Sequence, residues 1–348
     1  MTGEVLCRVE GAVGRITLNR PGALHALNTA MCRTMIEALL AWRGDSAVEA
    51  VLIDHSGERG FCAGGDIRML AESGAGDGAQ AREFFHTEYR LNHLLFTYPK
   101  TVAAFMDGVT MGGGVGISAP ARFRVATERT TFAMPETGIG LFPDVGGGWF
   151  LPRLPGKTGL WLALTGGRIK AADCIALGIA TDFVRSERLE ALKAAMIADP
   201  AAIETILTEN EDDPGQAPLA AHREDIDRLF GAHSVEGIVE ALEADGGEWA
   251  QGQLATLKTK SPQTMKVAFR QLALGAEMPS FAANMVMEYR IGARVVQRPD
   301  FLEGVRAVIV DKDNAPRWSP ATLEGVTGAM LDEIFAPLPP GEEWTPLT

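Results

Sequence analysis

Up to Val184 the chain keeps switching between two kinds of apolar pattern, and that alternation limits the folds open to it more than any other feature. Apolar runs of strand length at residues 5–9, 13–18, 50–53, 101–106, 123–126, 130–133 and 181–184 are interleaved with turns and with segments of helical spacing. The first two runs, joined by a glycine-containing turn, read as a hairpin. Met31, Met35, Leu39 and Trp42 recur at helical spacing, so residues 31–42 read as a helix capped by Asn28 or Thr29. Asp66 can cap a short helix at 67–71, and 81–98 reads as a longer one. Residues 72–80, rich in Gly, Ala and Ser, read as mobile. Strand-strand-helix units recur without an exact repeat. The composition shifts near Arg185. Beyond it helices are expected at 188–197, 201–208, 220–230, 235–244, 248–259, 262–274 and 281–298, with an acidic linker at 209–215. The fold class is therefore α/β, a mixed half followed by a helical half.

The segment 134–148 stands apart. It sets Glu136 and Asp144 among Met, Ile, Leu, Phe, Gly and Pro, with no Lys or Arg between them. Carboxylates in such company are desolvated, which favours the neutral form and makes the ionised form a stronger base. The prolines and glycines impose an irregular backbone. This loop either points two acids into an apolar pocket or lies on the surface with its acids capping neighbouring helices.

Two glycine-rich turns, at 62–66 and 111–114, each follow an apolar strand. Glycine lets backbone N–H groups approach a ligand closely, and N–H groups at helix starts can hold an oxyanion. Neither turn carries the Lys-Ser/Thr of a phosphate loop or GxGxxG spacing. The plain alternative is a turn packed tightly against a strand. Cys62 reads as a small buried hydrophobe rather than a nucleophile. His86 and His93 lack the partners of a triad or a metal site. Taken alone, Glu88 and Arg68 read as surface charges.

A net charge of -13 argues against nucleic acid and anionic membrane as partners. Four scattered cysteines (Cys7, Cys32, Cys62, Cys174) fit free thiols in a reducing compartment. The first residues, Met1 to Val5, show no basic segment leading into an apolar one, and no window suits a membrane span, so a cytoplasmic location is expected.

Four ordered motifs, at 61–67, 108–114, 135–136 and 301–307, resemble the crotonase (enoyl-CoA hydratase/isomerase) superfamily. Within it, 134–150 and 289–312 are most similar to the 3-hydroxyisobutyryl-CoA hydrolase branch. The resemblance spans roughly residues 9–320. It implies a crotonase-like spiral of ββα units with a C-terminal helical region. Residues 1–185 would form the core with the CoA site; 186–348 would cover the site, make subunit contacts, or both. It implies an acyl-CoA substrate and no separate cofactor, coenzyme A being part of the substrate. No metal is implied, and a homo-oligomer is compatible.

By position, Gly65 and Gly113 match backbone N–H donors of an oxyanion hole, Glu136 a catalytic glutamate, and Asp144 the second acid of the hydrolase branch. Glu88 matches a substrate-contacting position, the 24–26 loop one that passes the adenine, and Arg68 one near the CoA phosphates. Hydratases of the superfamily carry a second glutamate where this chain has Gly116, and hydration needs two acids. The resemblance thus implies hydrolysis of a short 3-hydroxyacyl-CoA, foremost 3-hydroxyisobutyryl-CoA in valine catabolism. Phe142, Trp149 and Phe150 are expected to line a pocket for a small branched acyl group. A hydratase- or isomerase-type reaction, and non-catalytic acyl-CoA binding, are the competing readings.

Overall fold

A computed structural model describes residues 3–347; Met1, Thr2 and Thr348 lie outside it, and with them part of the stretch on which the leader expectation rests. β1 (Val5–Glu10) and β2 (Val13–Leu18) form the expected antiparallel hairpin. β3 (Ala50–His55) runs parallel beside β2. The chain then steps into a second sheet with β4 (Gly60–Cys62) and returns to the first with β5 (Thr101–Met106) beside β3. Three more crossings follow. β6 (Val109–Met111) joins β4, β7 (Phe123–Ala126) joins β5, and β8 (Thr131–Ala133) joins β6, all parallel. β9 (Ile169–Lys170) and β10 (Asp182–Phe183) close the edges. The result is a six-stranded sheet ordered β1-β2-β3-β5-β7-β10 and a four-stranded sheet ordered β4-β6-β8-β9. Strands with continuous apolar runs, such as β3, are buried on both faces, as parallel packing requires.

Four helices complete the repeating units near the site: α1 (Thr29–Gly44), α2 (Ile67–Gly74), α3 (Ala79–Phe96) and α4 (Gly113–Ser118). Asn28 caps α1, its Oδ1 accepting the Met31 N–H at 2.9 Å; Asp66 caps α2. β4 leads into the first glycine-rich turn and, at the edge of its sheet, pairs with β6 alone. One expectation needs correction. The segment 72–80, loose by composition, ends α2 and begins α3, with the Ser73 hydroxyl taking the Ala81 N–H at 2.9 Å. After the 134–148 segment come two short turns, Gly147–Phe150 and Leu151–Arg153, with Pro152 in the second.

All seven expected carboxyl-terminal helices are present with shifted ends, among them Leu189–Ala198, Ile203–Asn210, Pro262–Ala276 and Phe281–Val295. Pro299–Val305 and Gly328–Phe335 are additional. The acidic linker is anchored: Asp212 receives the Arg185 N–H at 3.0 Å and pairs with Arg188. The outer face of the large sheet, with Leu52, Phe105 and Val125, is covered by Leu192, Met196 and Leu207. On the other side one continuous apolar cluster runs from α1 and α3 through Phe142 to Met285 and Ile291. Burying each such side chain contributes about 1.5–3 kcal/mol. Helix Phe281–Val295 lies along α3, close enough that a Cβ on Gly292 would sit 3.3 Å from Phe85.

Candidate active site

The parallel register of the small sheet decides where a site can form. Cys62 pairs with Thr110 and Met111 with Ala133, so β4, β6 and β8 end side by side. The segments that follow them, 63–66, 112–113 and 134–144, leave along one edge. Carboxyl ends of parallel strands are where loops build ligand sites. A cleft of about 60 Å³ opens there, and Gly65, Gly113, Glu88, Glu136 and Asp144 all line it. The structure therefore brings together the two glycines and three acids singled out from the sequence.

Each glycine turn has a local cause. The Gly64 carbonyl accepts the Leu27 N–H and the Leu27 carbonyl accepts the Asp66 N–H, both at 2.8 Å, which straps the backbone on either side of Gly65. Gly112 has φ 46° and ψ −120°, a combination that side chains of L-residues avoid, and a Cβ there would lie 3.3 Å from Glu136 Oε1. Gly113 opens α4. Among the described residues, neither the Gly65 nor the Gly113 amide donates a hydrogen bond. Both N–H groups are left for a group in the cleft.

The acids come from three elements. Glu136 begins the turn Glu136–Ile139, is buried, and has no partner on Oε2. Burial, reinforced by the neighbouring Asp144 charge, holds its carboxyl well above the usual range. Asp144 is pushed up to about 7 by burial, while a hydrogen bond from the Tyr89 hydroxyl at 2.9 Å pulls it down. Glu88, on α3, is buried with Oε1 unpartnered and is raised by burial and by Asp144. Its Oε1 lies 2.6 Å from the point a Gly113 Cβ would occupy, directly over the second glycine turn. No Lys or Arg offsets these three acids. Three neighbouring buried carboxyls cannot all ionise together, so at least one holds a proton near neutrality. Such a set can abstract one proton and supply another.

Two features were not visible in the sequence. The Tyr89 hydroxyl, brought over by the packing of α3, holds Asp144. Val145, β-branched, has φ 53°, a strained conformation next to Asp144. Position 116 is closed to a larger side chain, since a Cβ on Gly116 would lie 2.6 Å from Val145 Cβ and 2.7 Å from Asn92 Nδ2.

Other expectations fare differently. Phe142, Trp149 and Phe150 do not line the cleft. Phe142 is wholly in the core, and Trp149 and Phe150 pack with Phe96 and Phe281. Leu70, Phe84, Phe85 and Leu141 take their place. Arg68 is exposed and donates to the Ile309 carbonyl at 3.3 Å. The 24–26 loop is tied beside the Gly65 turn by the Ala63 N–H to Leu24 carbonyl bond. Neither lines the cleft. The Cys62 thiol is buried and pushed up to about 12, as befits a core side chain. His93 stacks on Phe281.

A family profile described as enoyl-CoA hydratase/isomerase matches residues 13–335. The chain is similar to proteins named 3-hydroxyisobutyryl-CoA hydrolase, mitochondrial. The one from Danio rerio is 48% identical, covering 96% of this chain and 90% of the relative. The one from Homo sapiens is 43% identical, covering 96% and 89%. Among solved structures, a carnitinyl-CoA dehydratase from Mycobacterium thermoresistibile superposes with a TM-score of 0.94 at 41% identity, covering 99% of both chains. An enoyl-CoA hydratase from Rhodobacter sphaeroides 2.4.1 gives 0.91 at 39%, covering 99% of this chain and all of the other.

Proposed function

The chain belongs to the enoyl-CoA hydratase/isomerase family, and from that premise we propose that it hydrolyses 3-hydroxyisobutyryl-CoA to 3-hydroxyisobutyrate and CoA. The observation that carries the reading is the placement of Glu136 and Asp144, buried and without a cation, in one cleft with two amides that have no acceptor of their own. The nearly full-length relatives named as hydrolases of this thioester point the same way. A cleft of about 60 Å³ suits a short acyl group.

In this mechanism the thioester oxygen lies between the Gly65 and Gly113 N–H groups, which stabilise the negative charge that builds as the carbonyl is attacked. Loss of one such donor typically costs about 3–4 kcal/mol of transition-state stabilisation. Ionised Glu136, made strongly basic by burial, has two routes. Its oxygen adds to the carbonyl carbon to form an anhydride as the C–S bond breaks, and water then cleaves the anhydride; or it takes a proton from water that attacks directly. Protonated Asp144, steadied by Tyr89, delivers a proton to the departing thiolate or holds the substrate 3-hydroxyl. Glu88 contacts the acyl portion above Gly113. Coenzyme A enters as part of the substrate, with Arg68 and the 24–26 loop toward its nucleotide end. Residues 1–185 carry this chemistry and 186–348 cover it.

The solved structures described as a hydratase and a dehydratase favour a second reading, addition or removal of water at a double bond. The crowding at Gly116 opposes it, because no second acid fits there. A panel of acyl-CoA esters separates the two: the proposal expects thiol release from 3-hydroxyisobutyryl-CoA, whereas loss of enoyl-CoA absorbance without thiol release would replace it. No helix among the described residues is long and apolar enough to cross a membrane. The free thiols favour a reducing compartment; fractionation decides between the cytoplasm and the mitochondrial location printed in the relatives' names.

A further inference from the structure

The loop carrying Asp144 is gripped from behind by two side chains that take no part in the chemistry above. Gln271, on helix Pro262–Ala276, donates its Nε2 to the Pro143 carbonyl at 2.6 Å. Glu288, on helix Phe281–Val295, accepts the Gly146 N–H on Oε2 and the Gly148 N–H on Oε1, both at 2.8 Å. Glu288 Oε1 also accepts from Asn284 at 2.9 Å and from Gln271 at 3.2 Å. The backbone is thus held at 143, 146 and 148, on both sides of Asp144. Between these ties Val145 has φ 53° and Gly146 φ 96°. Gly148 leaves no room for a side chain: a Cβ would lie 2.6 Å from Asn284 Oδ1 and 3.0 Å from Glu288 Oε1.

We propose that Glu288, braced by Gln271 and Asn284, is a positioning residue that keeps Asp144 aimed into the cleft by clamping the strained turn that follows it. The inference rests on the hydrolase reading of Asp144. Glu288 is fully buried; burial pushes its carboxyl up to about 8, while the hydrogen bonds it accepts from Gly146, Asn284 and Gly148 pull the other way. Burying a carboxyl with no cation beside it is costly, and an apolar side chain would pack there at less expense. A buried acid committed to holding a strained turn next to Asp144 points to geometry, not stability, as its purpose. Glutamine at 288 keeps the shape but turns an NH2 toward Gly146 or Gly148. One side of the clamp then opens, and Val145 can relax.

The test measures thiol release from 3-hydroxyisobutyryl-CoA by Glu288→Gln in the wild-type and Asp144→Asn backgrounds. The expected result is a kcat lower by about 100-fold in the wild-type background, the scale of a 1 Å misplacement, with KM changed less than about threefold. In the Asp144→Asn background the same substitution should have no further effect, because the residue it positions is already gone. Equal losses in both backgrounds, or an unchanged kcat, overturn the clamp while leaving the hydrolase reading intact. A wild-type kcat in Asp144→Asn alone overturns the role of Asp144 and the clamp with it. If Asp144→Asn turns over too slowly to compare, the crystal structure of Glu288→Gln decides. Val145 leaving positive φ, with Asp144 displaced from the Tyr89 hydroxyl, supports the proposal; an unchanged loop overturns it. Should Glu288→Gln not fold, Gln271→Met cuts the Pro143 tie and one bond to Glu288, leaves both amide ties of Glu288 in place, and is read the same way.

Discussion

Replacing Asp144 with asparagine should make the protein more stable at alkaline pH while crippling it as a catalyst. In the native state burial pushes the Asp144 carboxyl from 3.8 to about 7, against the pull of the Tyr89 hydrogen bond. Between those two values the folded protein holds a proton that the unfolded chain has released, so wild-type stability falls as pH rises through the window. Below the unfolded value the group contributes its full stability; above about 7 that contribution is gone. A rise of this size is a little over three factors of ten in proton affinity, or on the order of 4 kcal/mol. Asparagine has no proton to lose, and its carbonyl can still accept the Tyr89 hydrogen bond. Urea unfolding at a series of pH values should therefore show Asp144→Asn gaining on wild type from pH 4 upward. The gain should reach about 4 kcal/mol near pH 8.5, where the whole linkage is expressed. A difference that does not vary with pH, or one that shrinks as pH rises, would refute the claim that Asp144 is a desolvated acid kept for function at the expense of stability.

Glu136→Gln should lower kcat by about 10³-fold or more, with the dissociation constant for CoA esters within a few-fold of wild type by calorimetry. Single-turnover hydrolysis in ¹⁸O-water followed by mass measurement of the Glu136 peptide separates its routes, since label in Glu136 rules out a pure general-base path. Tyr89→Phe removes the hydrogen bond that holds Asp144 down, so the Asp144 carboxyl rises further and any kcat/KM limb set by Asp144 moves to higher pH; a hydrogen bond to a charged group is worth about 1.5–3 kcal/mol. Gly116→Glu drives a side chain into Val145 and Asn92. It should cost at least 1–3 kcal/mol of stability, roughly the overpacking penalty, and confer no hydratase activity. A gain of enoyl-CoA hydration in that variant would contradict the account of position 116.

The sequence displayed the parts of this site that chemistry demands and concealed those that tertiary structure supplies. Glu136 and Asp144 were legible because acids in an apolar, Gly/Pro-rich stretch violate ordinary surface patterning. The two glycine turns beside the cleft were legible because glycines cluster after apolar strands. Glu88 was not, since its helix has many polar neighbours and only the family resemblance pointed to it. Tyr89 was hidden as one more aromatic at a core position. Glu288 was hidden because a lone acid on a helix looks solvated until that helix is laid against α3. The two-residue strand β9 and the three-residue β4 exist through pairing across the small sheet and leave little periodic trace. Phe142, Trp149 and Phe150 misled because apolar residues near the cleft acids in sequence need not share their cavity; here they serve the core and an aromatic cluster with Phe281.

The most direct measurement of the central claim is a crystal structure of the Glu136→Gln protein with 3-hydroxyisobutyryl-CoA bound. The thioester oxygen should lie within about 3 Å of both the Gly65 and Gly113 amide nitrogens, a normal hydrogen-bond distance, with residue 136 and Asp144 facing the carbonyl carbon and the sulfur. A thioester seated elsewhere, with both amides turned to solvent or the two acids facing away from it, would contradict the account.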